Sequence, residues 1–316
     1  MYKIIILITL FFTSVFSSNI MPTTKYISSG SVVEIIINEG KLYSATDAGV
    51  VDIFNIKSKK ITNQILVPKI KDFMGEEVDS KIFSIDILNK NLLILSQAAK
   101  GYRNLFININ GKNINLINES NKMTIAKAKF LNESTILLAM LSNELVSYDI
   151  KSKQENWRMQ ASGAKFSDFV LNEEKTEVVV ADESGDLKIC NTRDGKITNI
   201  LEGQNLDNVF QVDYKNGIII TAGQDRRAVV YAVKFNSAYY KKSNFLIYSA
   251  GLSPSGKLAG YASDENNSIT IFDTITQKVI GVYSGNKMTL TNIVFNGEKE
   301  FFSASDGKTI NLYKIK

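Results

Sequence analysis

Few side chains in this sequence offer reactive chemistry. Two acidic turns, DESGD (182–186) and DENN (264–267), hold carboxylates that could touch a hard cation. Neither has the ligand spacing and closing Glu of a calcium loop, so both read as turns between strands. Cys190 is the one thiol, and a thiol can serve as nucleophile or redox group. It falls where other copies of its pattern carry Phe, Tyr or Ile, so it reads as a small core hydrophobe. A lone Cys also rules out an intramolecular disulfide. The chain contains no His. That removes Ser-His-Asp and Cys-His catalysis, and haem or zinc sites with His ligands. No GxGxxG, P-loop, CxxC or EF-hand loop occurs. A hydrolase using carboxylates alone would need two acids set across a site, and nothing here pairs two particular acids. The sequence thus implies no catalytic residue, no cofactor and no metal.

What remains is recognition chemistry. Of five Arg residues, Arg103, Arg226 and Arg227 fall in loops of two repeats. Tyr239 and Tyr240 lie in NSAYYKKSNF (236–245), read as a loop between repeats. Phe73 and Met74 lie in PKIKDFMGEEVDS (68–80), a segment that most repeats lack. Arg and Tyr are favoured at protein interfaces, Arg for its planar fork and stacking. These seven residues are the candidate partner-binding set; the open alternative is that they sit in ordinary solvated loops. The net charge of +5 is dispersed, with no run of five or six like charges, and points away from nucleic acid.

A repeat must position all of these. Alternating runs ending in a large residue recur at Phe54, Ile107, Tyr148, Cys190, Tyr231, Phe272 and Tyr313, spaced 53, 41, 42, 41, 41 and 41 apart. A fixed period of this length, built of short strands, marks a β-propeller with one four-stranded blade per repeat. Nine or ten positions before each anchor stands a small residue: Ala45, Ala98, Ala139, Ala181, Ala222, Ala262 and Ala304. Such a residue suits a strand where neighbouring sheets approach closely. In the first blade the strands read 32–38, 41–46, 50–56 and 60–67. Asn55, Asn108, Asp149, Asn191 and Asp273 are placed to bond the turn after the third strand. The last repeat stops at Lys316, after its third strand. TTKYISS (23–29) is expected to supply the fourth and close the ring.

The first residues, MYKIIILITLFFTSVFSSN, read as a cleaved export signal over 1–17, with Lys3 before an apolar run and small residues Val15 and Ser17 at the cleavage point. No Cys lies there for lipidation. The expected mature chain, 18–316, is one domain. Seven repeats of 41 leave 12 of its 299 residues, the same excess as in the first spacing.

The pattern in SATDAGVVDIFN and YASDENNSITIFD resembles the WD-repeat superfamily over about 30–316. The GH and WD dipeptides of that family are absent, and its Ser–His–Asp-type network cannot form without His. Export, seven blades and a Lys/Asn/Ile-rich background are similar to NapL-type accessory proteins of periplasmic nitrate reductases. That resemblance implies a periplasmic accessory role in nitrate respiration. KSKQENWR also resembles the Gly-Lys-x-x-x-Trp turn of quinoprotein-like propellers, which include outer-membrane assembly scaffolds. Those repeat the Trp in each blade, whereas Trp157 is alone. The expectation is an all-β, seven-bladed propeller acting as a non-catalytic periplasmic interaction module. It would be monomeric, bind protein partners and have no stable membrane anchor. The alternatives are a sensor holding a small ligand or peptide in its central channel, and a hydrolase without His.

Overall fold

The computed structural model describes residues 19–316, in which the repeat becomes seven four-stranded antiparallel sheets. The signal expected at 1–17 lies outside these residues. No helix among them is long and apolar enough to cross a membrane. In blade one the strands are Val32–Asn38, Lys41–Thr46, Val50–Asn55 and Lys60–Leu66, within a residue of the sequence reading. The first strands of blades two to seven are Ile82–Leu88, Ile125–Phe130, Phe166–Leu171, Val209–Lys215, Ala250–Leu252 and Leu290–Phe295. These first strands lie against one another all round the ring, that of blade seven touching that of blade one.

Buried residues run consecutively along the second and third strands, so both faces of the inner sheet are covered, whereas the outermost strands are largely exposed. The core is divided into seven clusters, and each lies between two adjacent blades. No blade owns a core, which is why a single repeat could not fold alone. Six of the seven anchors point toward the preceding blade. Phe54, for example, meets Tyr26 of blade seven edge-on at 5.5 Å. Cys190 is fully buried in such a cluster, and burial pushes its thiol up to about 11.

Blade two breaks the pattern, and two expectations need correction. Ala45, Ala139, Ala181, Ala222 and Ala304 all sit opposite the third residue of the first strand. In blade two that place is taken by Leu95, and Ala98 lies beyond the strand. The residue paired like an anchor is Asn108, opposite Leu92, just as Phe54 is opposite Leu42. Ile107 faces blade three instead. The cause is local. Asn110 and Gly111, both at positive φ, make a tight two-residue hairpin between Ile109 and Lys112. The polar turn residue is thereby drawn back into the anchor's place.

The turn chemistry itself is as the sequence suggests. The side chains of Asn55, Asn108, Asp149, Asn191 and Asp273 accept backbone N–H groups of the following turn at 2.6–3.1 Å. A stand-in for the missing His network also exists. Thr221 donates to Asn205 at 2.7 Å, and Asn205 donates to the Tyr231 hydroxyl at 3.0 Å. Ser303 and Asn311 both donate to Asn286, and Ser28 pairs with Ser44. Each ties the linker entering a blade to that blade's second strand.

The ring closes through Thr24–Ile27, which pairs antiparallel with Thr309–Lys314 as the outermost strand of blade seven. Ile20 continues across to blade six, where it forms a parallel bridge with Tyr283. At the neighbouring junction, Gly251 lies so close to blade seven that a Cβ would sit 2.2 Å from the Ile293 carbonyl oxygen. Only Gly fits that approach.

Two outcomes follow. Deleting residues 18–29 should strip blade seven of its edge strand and yield a protein that aggregates or melts well below the full chain. An unchanged melting curve would refute closure by this segment. Gly251→Ala should force blades six and seven apart and cost about 1–3 kcal/mol in denaturant unfolding; a wild-type midpoint would show that the approach is looser than described.

Candidate functional site

A channel runs along the ring axis, lined by all seven first strands, with a cavity of about 420 Å³ on the side of the first-to-second-strand turns. In six blades the third residue of the first strand is polar: Glu34, Ser84, Lys127, Asp168, Gln211 and Asn292, although the strands are otherwise mostly apolar. In blade six Ser249, one residue before Ala250–Leu252, takes that place. In six blades a β-bulge stands just before this residue. A bulge re-aims a side chain.

The purpose is visible in the hydrogen bonds. The Ile35 N–H donates to Asn292 at 3.2 Å, Ile85 to Glu34 at 2.6 Å and Val212 to Asp168 at 3.1 Å. Ala128 donates to Ser84 and Ala250 to Gln211 at longer range. Five of the seven side chains thus accept an edge N–H of the next blade, whereas Lys127 donates to Asp168 and Ser249 donates to Gln211. The acids need counter-charges in this interior. Lys129 meets Glu34 at 2.7 Å, and Lys127 meets Asp168 at 2.6 Å. Burial works against a charged Glu34, but Lys129 and Lys127 outweigh it and hold its carboxyl below the usual range. Burial likewise opposes a charged Lys127, yet Asp168 and Glu34 raise its value.

The channel mouth on the side of the second-to-third-strand turns sets aromatic side chains among a largely polar lining. Phe83, Leu141, Phe166 and Phe210 line it above Glu34, Lys127 and Asp168. Phe210 stacks on Tyr248 at 5.2 Å, and Phe245 leans on Tyr248 from the rim. Arg103 lies over the Phe83 ring at 4.0 Å.

The seven residues singled out from sequence do not form one patch. Arg103 opens the third strand of blade two and belongs to this mouth, but it is half-buried and held by Gly101 and Tyr102 carbonyls. Arg226 is exposed in the blade-five turn at positive φ. Tyr239 and Tyr240 are not in a loop; Ser237–Lys242 is the outermost strand of blade five. Tyr240 carries Arg227 over its ring at 4.3 Å. Tyr239 points away, its hydroxyl donating to the Thr274 carbonyl of blade six at 2.7 Å, and burial pushes its phenol up to about 12. Phe73 and Met74 tip a short ribbon, Ile70–Lys71 with Glu77–Val78, and are 96% and 71% exposed. The DESGD turn is structural: Lys188, Ser162 and Asn143 all donate to Asp182 at 2.7–2.9 Å. Trp157 packs beside Gly195 of blade four, docking neighbouring sheets. The polar third position was legible in principle, as one repeat phase that is polar in all seven copies.

Glu34 gives a pH test. A carboxyl lowered by folding adds stability above its unfolded value near 4.5, and that stability is lost as pH falls through the folded value. Wild-type stability should therefore fall steeply on acidification below that value. Glu34→Gln should flatten this slope and cost about 3 kcal/mol at neutral pH, because Lys129 is left without its partner. Parallel slopes for the two proteins would contradict this account.

No protein-family model and no curated protein matches the chain. Among solved structures it is similar to the β-propeller domain of Cps50 (Swd1) from Myceliophteria thermophila, with 13% identity and a TM-score of 0.72. The match covers 93% of this chain and all of that domain. At this identity the likeness is one of fold, and the chain is an all-β, seven-bladed propeller.

Proposed function

We propose that this protein is a non-catalytic interaction module that presents the aromatic channel mouth to a protein partner. The observation that carries the reading is the convergence of Phe83, Phe210, Tyr248, Phe245 and Leu141 around one mouth, with Arg103 stacked among them. Interface centres favour aromatic residues and Arg on a rigid support. The charges below the mouth are paired with each other, which favours the rim over the interior as the contact surface. The likeness of fold to the Swd1 propeller domain is in keeping with such a scaffold.

The finer reading is a monomeric periplasmic accessory protein for nitrate reductase. It rests on the export-like residues 1–17 and the NapL-type resemblance. The test uses purified protein and purified periplasmic nitrate reductase in surface plasmon resonance. Saturable binding that drops at least tenfold in Leu141→Ser/Phe245→Ser, with an unchanged melting temperature, supports both levels. Binding unaffected by those substitutions moves the contact off the mouth. No binding removes the reductase as partner.

A further inference from the structure

Between blades one and two the ring departs from its own packing rule. The other six blades place a Phe, a Tyr or Cys190 against the preceding blade at the anchor position; blade two places Asn108. The missing bulk leaves a cleft of about 420 Å³, on the face opposite the aromatic mouth. Specific small-molecule sites usually fall in the range of about 300–1,000 Å³.

The walls of this cleft have two characters. Tyr43, Ile53, Ile65 and Leu92 form an apolar floor. Asn63, Asn108 and Asn110 bring side-chain amides to its edge, and Lys41 and Lys90 stand there with exposed ammonium groups. Glu39 shares the rim, so one positive charge is left over. Asn108 spends one amide proton on Asn113 at 2.7 Å and retains a second. Donors therefore outnumber acceptors around an apolar hollow. Asn108 is fixed in place: its carbonyl oxygen accepts the Gly111 N–H at 3.1 Å, and Asn113 in turn donates to the Leu66 carbonyl of blade one. The polar end of the cleft is thus pre-organised rather than adaptable.

We propose that this cleft is a binding site for a small carboxylic acid with an apolar body. The carboxylate meets Lys41, Lys90 and the Asn108 amide, while the body takes the volume that an anchor side chain fills in the other blades. This assignment is independent of the aromatic mouth, because the two lie on opposite faces of the ring.

The probe is benzoate, with benzamide as its uncharged counterpart, titrated into the full protein and followed by NMR chemical shift and by melting temperature. Benzoate should bind saturably, shift signals of blades one and two, and raise the melting temperature. Lys41→Gln/Lys90→Gln, at exposed positions, should weaken benzoate about tenfold and leave benzamide unchanged. Asn108→Phe should fill the hollow and abolish binding of both, with folding checked by circular dichroism. The Lys variants keep the test decisive should Asn108→Phe not fold. The proposal fails if benzoate does not bind saturably, if its shifts map elsewhere, or if the Lys variants bind it as wild type does.

Discussion

The inner edge of every first strand carries backbone N–H groups that no neighbouring sheet can pair. The blades are packed face to face, so their ladders end at the axis, and an unpaired buried N–H is costly. In five of the seven blades the chain meets this constraint with one side chain that reaches across to the next. Much of the axis follows from it. The bulge before that residue turns it toward the neighbour, and its polar identity supplies the acceptor. Where the acceptor is a carboxylate, as at Glu34 and Asp168, a lysine must stand beside it. The channel charges are consequences of closing the ring, and they leave the aromatic rim as the surface free to meet other molecules.

The same economy governs the space between blades. Ala45 and its relatives let sheets approach, and the anchors fill what the approach leaves open. Blade two loses both features. Leu95 replaces the small residue, and Asn108 replaces the large one. The tight Asn–Gly hairpin accompanies the polar residue at the anchor's place, while Leu95 departs independently in the second strand. A one-residue displacement in a strand exchanges the sides to which its residues point. Ile107 therefore keeps the hydrophobic alternation of an anchor while serving the opposite interface.

This is also where sequence reading runs out. The period, the strands of blade one, the turn-bonding Asn and Asp residues and the exposed Phe73–Met74 insertion were legible, because turn chemistry and alternation are local. Ile107 and Ala98 were misassigned because the period tolerates a residue more or less, whereas the side chain's facing does not. Tyr239 and Tyr240 looked like loop residues because an outermost strand is half-solvated and its composition is mixed. The axis residues stayed hidden for a different reason. Glu34, Lys127 and Asp168 look like ordinary surface charges until the ring places them beside one another. The aromatic mouth joins Phe83, Phe210 and Phe245, residues far apart in the chain, and only the closed ring gathers them.

Thr24 lies opposite Leu312 in the closing strand. A contact between residues so far apart in sequence cannot exist until Thr309–Lys314 has left the ribosome. Without that pairing the blades would form an open arc, with an interblade face uncovered. Ile20, bridged to Tyr283 and packed near Gly281 of blade six, extends the seam beyond a single blade. The segments 20–27 and 309–314 act as a latch, so the ring is complete only after they have met.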